Sequence, residues 1–303
     1  MRIDFHVHPL EPRNLEDSRP LFRMLNANRF EKWMDSQTLS AEGLIADMDR
    51  AGVDRAVILA VEYDMDAPLL RVRNERVIEL VKMFPDRFIG FASVCPTEFV
   101  HGEYQVTERR VQECVRRLKT YVDAGLRGLK ILQPFQCFYP NDPRVFPIYA
   151  EAERLGIPVI IHTGGEDFPG KIKYCNPVFI DDIAKIFTNL KIVMAHMGSF
   201  PFGVWFREAM VVADENPNVY VDLAALRPRE LIEEGLLEKA VRWIGSEKII
   251  FGSDWPAVIN YPIHQAIQTV LDAPISQEAK DNILGGNASR LLGLNNISDG
   301  NKE

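Results

Sequence analysis

Short runs of apolar, largely β-branched residues recur along the chain, separated by stretches long enough for a helix. Eight runs read as strands: Ile3–His8, Ala56–Val61, Phe88–Val94, Gly128–Leu132, Pro158–His162, Lys191–His196, Val219–Leu223 and Lys248–Gly252. Most are nearly continuous in apolar residues, as a parallel strand must be when both its faces are covered. Parallel strands need crossover connections, and the intervening segments read as helices. Val111, Cys114, Val115, Leu118 and Val122 follow an i, i+3, i+4 spacing, with Thr107 placed to cap the helix start and Gly125 just past its end. Gly52 and Gly156 stand at similar helix ends, and Asp142-Pro143 offers a capping carboxylate followed by proline in the first turn.

Eight strand–helix repeats within 303 residues predict an α/β fold, a (β/α)8 TIM barrel with a long insertion after its first strand. An open doubly wound sheet that binds a dinucleotide would carry a glycine-rich turn after its first strand, and His8-Pro9-Leu10-Glu11 has none. Residues 1–294 read as one barrel domain, and residues 295–303 as a polar tail that frays.

The composition, 47% apolar and 26% charged, suits a chain that buries a large core and excludes disorder as its main state. With 35 Lys+Arg against 43 Asp+Glu, the net charge of −8 argues against nucleic acid or an anionic membrane as the principal partner. The start, MRIDFHVHPL, lacks the apolar segment of a signal peptide, and no run approaches the roughly 20 apolar residues of a membrane span. A cytoplasmic protein is expected. Cys95, Cys114, Cys137 and Cys175 lie too far apart in sequence to suggest a disulfide scaffold or a cysteine-rich zinc site.

The histidines change the picture more than the totals do. Of six, four fall at C-terminal ends of predicted strands: His6 and His8 on the first, His162 on the fifth and His196 on the sixth. Strand alternation places His6 and His8 on one face, with Ile3, Phe5 and Val7 on the other, toward the helices. Asp254 ends the eighth strand, which closes a barrel against the first. Imidazoles and a carboxylate converging on one mouth suit Zn2+ or another divalent first-row ion, with a position left for water or substrate. His101 and His264 lack this placement and read as surface or loop residues.

DFHVHP, IHTG, AHMG and FGSDWP, in that order, resemble the amidohydrolase superfamily. Within it they are similar to the branch of metal-dependent TIM-barrel hydrolases and decarboxylases that includes aminocarboxymuconate-semialdehyde decarboxylase and the resorcylate-type decarboxylases. The resemblance extends from Ile3 to GNASRLLG near Leu292. It implies that His6, His8, His162 and Asp254 ligate the metal. His196 would be a general acid/base and substrate-polarising group, or a ligand to a second metal. A homodimer is also implied, one in which a neighbouring subunit can contribute an arginine to the site.

One divalent ion is expected, Zn2+ preferred and Mn2+ compatible, with a second only if Lys130 on the fourth strand is carboxylated. Lys130 is preferred as an unmodified, substrate-binding amine, although periodicity does not settle whether it points inward. Arg13, with Arg19 and Arg23 in the first long loop, offers paired hydrogen bonds to a substrate carboxylate or belongs to a solvated charged helix docked on the barrel. Phe135 is placed to line the mouth, and Trp255 to floor the pocket or to pack under a loop. Asp4 either orients a histidine or is a buried hydrogen-bonding residue lower in the barrel.

The expected reaction is hydrolysis of a small carboxylic ester, lactone or amide by a metal-activated water, with Asp254 as base and His196 polarising the carbonyl. The alternative is decarboxylation of an aromatic or unsaturated acid with the same residues. HMGSF, where related decarboxylases often carry a second glycine, and the presence of Lys130 weigh toward hydrolysis. A barrel that binds metal without catalysis is a distant third.

Overall fold

The computed structural model describes residues 1–9, 40–64, 71–165, 170–200, 203–258 and 261–294. Its main sheet orders eight parallel strands: β1 (Ile3–Val7), β2 (Arg55–Leu59), β3 (Phe88–Ser93), β6 (Leu129–Ile131), β7 (Val159–Ile161), β8 (Ile192–Met194), β9 (Val219–Asp222) and β10 (Ile249–Ile250). The last strand returns to the first. Phe5 N–H donates to the Phe251 carbonyl at 2.9 Å, Asp254 N–H to the His6 carbonyl at 2.9 Å and His8 N–H to the Trp255 carbonyl at 2.8 Å, closing a barrel. The sequence does not lead one to expect β4 (Thr97–Val100) and β5 (Glu103–Val106), an antiparallel hairpin outside the barrel. Its turn, His101-Gly102, takes positive φ at both residues, as a two-residue hairpin of type I′ requires.

Helices fill the crossovers as patterned. α1 (Ala41–Ala51) is capped by Ser40 and ends at left-handed Gly52. After α2 (Asn74–Met83), α3 (Glu108–Asp123) starts where Thr107 accepts from Arg110 N–H and buries Val111, Cys114, Leu118 and Tyr121. A short α4 (Gln133–Gln136) follows β6 directly. α5 (Phe146–Leu155), α6 (Val178–Ile186), α7 (Phe206–Glu215), α8 (Leu236–Ile244) and α9 (Ile263–Asp272) continue the ring. All four cysteines are buried and none is joined in a disulfide. Among the described residues no helix is long and apolar enough to cross a membrane.

Two apolar layers divide the strands by parity. Ala56, Ile58, Leu129, Ile131, Val159, Ile161, Ile192, Met194, Val219 and Val221 pack with the helices. Val57, Leu59, Ile89, Phe91, Ile160, Val193 and Ile250 fill the barrel, joined by Leu292 and Leu294 from the end of the described chain. The first strand breaks the expected alternation. Ile3 and Phe5 belong to the interior layer, not to the helix-facing one, and the Phe5 ring meets Phe91 edge-on. The reason is a bulge: Asp4 pairs with Ala56 but Val7 with Ile58, so β1 carries one extra residue there. Parity shifts across it. Phe5 and His6 both turn inward, while Val7 packs outside.

Gly252 is where the closing segment passes His6. A Cβ there would stand 2.8 Å from His6 Cβ and 3.3 Å from Ala224 Cβ. Gly252→Ala is therefore expected to destabilise the fold by about 1–3 kcal/mol through overpacking. Denaturant unfolding measures this, and an unchanged midpoint would speak against so tight a closure.

Candidate metal centre

His6, His8 and Asp254 meet at the C-terminal end of β1, with one ligand atom from each within 4.8 Å of the others. His6 Nε2 lies 3.5 Å and His8 Nε2 3.4 Å from Asp254 Oδ1. All three residues are buried. His162 does not join them directly: its Nδ1 lies 3.2 Å from His196 Nε2 and its Nε2 2.9 Å from the Gly165 carbonyl. His196 stacks beside His6 with ring centroids 5.2 Å apart, so all four histidines belong to one cluster. Lys130 points into the barrel, fully buried, its Nζ 3.2 Å from His6 Nε2.

Sequence reasoning missed Asp222, the last residue of β9. Its Oδ2 lies 2.8 Å from His6 Nδ1, and its Oδ1 accepts from the backbone N–H of His196 at 2.7 Å and of Ala224 at 3.0 Å. The sequence shows only an acid closing the apolar run VYVD, and its burial is seen in the fold. Asp4 is the buried hydrogen-bonding residue of the two readings given for it, accepting from the backbone N–H of Ser253 at 2.9 Å and of His6 at 3.3 Å. Burial pushes its carboxyl up to about 7.

The turns that present these groups are strained. His196, Met197, Ala225 and Asp254 hold φ values of 62°, 49°, 63° and 62°, each costing on the order of 1–2 kcal/mol in a non-glycine residue. Local bonds offset the cost: Ser199 N–H to the His196 carbonyl at 2.7 Å, and Ala257 N–H to the Asp254 carbonyl at 2.7 Å.

Burial, reinforced by the neighbouring Lys130, pulls the His6 imidazole well below its usual range. Burial does the same to His162, helped by His196, and lowers His196 to about 4. At neutral pH these rings are uncharged. Burial tends to raise the Asp254 carboxyl, but the hydrogen bond from His8 leads the influences that hold it well below the carboxylate range.

Counting protons tests the fit to a metal. His6 Nδ1 faces a carboxylate and so carries its hydrogen, which leaves an Nε2 lone pair facing Lys130 Nζ at 3.2 Å, with Asp254 Oδ1 3.5 Å away. His196 Nδ1 donates to the Ala224 carbonyl at 2.9 Å, leaving its Nε2 as an acceptor. His162 then faces acceptors at both nitrogens, yet a neutral ring has one N–H. His8 Nδ1 is buried without a hydrogen-bond partner. Such a surplus of lone pairs fits a bound divalent cation, which neutral imidazole and carboxylate serve. A second group, His6, His196 and Asp222, also lies within 4.8 Å, but its atoms are largely engaged with one another.

Phe135 is buried with Val61, Tyr63 and Leu132. Val61 and Leu132 extend the inward rows of β2 and β6 past Leu59 and Lys130, which sets this apolar group at the barrel mouth. The Trp255 indole donates to Asp47 of α1 at 3.0 Å, tying the closing loop to the first helix. His101 is exposed in the hairpin turn, and His264 lies on α9. Arg13 and the rest of the first long loop lie outside the described residues.

A family model described as amidohydrolase matches residues 3–294. A 2-amino-3-carboxymuconate-6-semialdehyde decarboxylase from Dictyostelium discoideum is 27% identical, covering 97% of this chain and 92% of its own length. Among solved structures, an uncharacterized TIM-barrel protein from Bordetella bronchiseptica superposes with a TM-score of 0.73 at 26% identity, covering 96% of this chain and 98% of that one. A dihydroxybenzoic acid decarboxylase from Polaromonas with bound manganese and 2-nitroresorcinol shares the fold, with a TM-score of 0.64 at 18% identity and 97% of each chain covered. The Dictyostelium relative overturns the expectation of ester, lactone or amide hydrolysis, since a protein matched over nearly the whole chain is named for loss of a carboxyl group. The ligand set serves both reactions, so HMGSF and Lys130 were too slender a basis for choosing hydrolysis.

Proposed function

Because the chain belongs to the amidohydrolase family, we propose that it removes a carboxyl group from a small aromatic or unsaturated carboxylic acid, using one divalent metal ion. The convergence of His6, His8 and Asp254 at the barrel mouth carries this reading, and the name of the Dictyostelium relative supports carboxyl loss as the reaction. His6, His8 and Asp254 would hold the ion, with His162 the fourth ligand once its Nε2 gives up the Gly165 carbonyl. Mn2+ and Zn2+ both suit these donors, and the Polaromonas neighbour holds manganese. When bound, the ion draws electron density from a substrate oxygen and lowers the cost of the negative charge left as CO2 departs.

The remaining groups bind and move protons. Lys130, buried beside His6, binds a substrate carboxylate or neighbouring oxygen, and Arg13 is a further carboxylate partner on its chemistry. Val61, Tyr63, Leu132 and Phe135 give a planar substrate an apolar wall and exclude water, with the Tyr63 and Phe135 rings 5.6 Å apart. The carbon–carboxyl bond breaks, its electron pair stays on the carbon, and CO2 leaves. His196 takes a proton at Nε2 from an acidic group of the substrate or from solvent and delivers it to that carbon. In this reading residues 1–294 act as a single domain.

The test offers metal-loaded protein a panel of hydroxybenzoic and amino-substituted unsaturated acids beside esters and lactones, with separate readouts for CO2 and for acid produced. Release of CO2 from at least one acid is expected. Cleavage of an ester or lactone with no CO2 from any acid would overturn the proposal.

A further inference from the structure

We infer that Asp222 is the positioning residue that sets the tautomers of both His6 and His196, so that each turns an unprotonated Nε2 into the centre; this rests on the metal site proposed above. One oxygen serves each histidine. Oδ2 stands 2.8 Å from His6 Nδ1, and a carboxylate only accepts, so Nδ1 carries the hydrogen and Nε2 is left with its lone pair beside Lys130 and Asp254. Oδ1 accepts from the N–H of His196 at 2.7 Å and of Ala224 at 3.0 Å. Those two bonds pin the left-handed His196 turn and set the Ala224 carbonyl 2.9 Å from His196 Nδ1. A carbonyl also only accepts, so His196 Nδ1 carries its hydrogen too. A single buried carboxylate thus fixes which nitrogen of a metal-ligand candidate, and of the proton carrier, is available for chemistry.

The same geometry explains why an acid stands there. Asparagine has one oxygen. With that oxygen kept on the two backbone N–H groups, its NH2 would face His6 Nδ1, which must then accept, and the ring hydrogen would move to Nε2 where it blocks ligation.

The experiment reads tautomer and ion affinity without substrate. Protein labelled with 15N-histidine, with the His6 signals assigned by a His6→Gln variant, is expected to show wild-type His6 protonated at Nδ1 and bare at Nε2. Asp222→Asn is expected to move the hydrogen to Nε2, to leave His196 unchanged, and to weaken Mn2+ binding about ten- to a hundredfold, followed by loss of the free-ion paramagnetic signal. Wild-type His6 carrying its hydrogen on Nε2 would overturn the inference even if the variant does not fold. An Asp222→Asn protein that keeps the wild-type tautomer and Mn2+ affinity would overturn it as well. A wild type that releases no CO2 would instead count against the decarboxylase reading and leave these two readouts as they stand.

Discussion

Asp254→Asn is expected to lower kcat/KM for decarboxylation by about a thousandfold, because it removes the anionic member of the candidate ligand set. Charge stabilisation by a bound ion supplies several kcal/mol, and about 4 kcal/mol corresponds to that factor. The hydrogen bond from His8 leads what holds this carboxyl well below its usual range against the pull of burial, so at neutral pH it is a fixed negative charge among the candidate ligands. Asparagine keeps the shape and removes the charge. Bound metal per chain should fall together with turnover, as elemental analysis after dialysis would measure. Full metal occupancy with full turnover in this variant would remove Asp254 from the site.

His196→Ala is expected to separate ion binding from proton transfer. Its Nδ1 is committed to the Ala224 carbonyl and its backbone N–H to Asp222, which leaves Nε2 as the group that can exchange a proton at neutral pH. Loss of a positioned general acid/base costs about a hundred- to ten-thousandfold in rate. The variant should therefore retain its metal while kcat falls by that range, measured as CO2 release on a metal-loaded sample. Loss of the metal along with activity would make His196 a ligand, the other role that its position on the sixth barrel strand allowed.

The parts of the molecule legible in the sequence are those that depend on repeated local rules. Thr107 and Gly125 bracket α3 because capping chemistry acts over a few residues, and the eight apolar runs place the barrel strands to within a few positions. The histidines stood out because ionisable groups are rare at the ends of apolar strands. Long-range packing was not legible. The bulge in β1 arises from how that strand pairs with β2, and it reversed the assignment of Ile3 and Phe5 while leaving His6 and His8 directed at the site. The inward direction of Lys130 needed its register against Ser93 and Ile160. Asp222 became visible only when β9 lay beside the turn that carries His196. The chemistry was less legible still, since imidazoles and a carboxylate around one ion serve hydrolysis and carboxyl loss alike.

The most direct test returns Mn2+ to metal-stripped protein in measured steps, recording CO2 release from an accepted acid, bound metal per chain and the mass of the peptide bearing Lys130. The account predicts that CO2 release rises in proportion to bound ion, saturates at one ion per chain, and leaves Lys130 unmodified. Undiminished CO2 release from the stripped protein, or saturation at two ions with a CO2 adduct on Lys130, would contradict it.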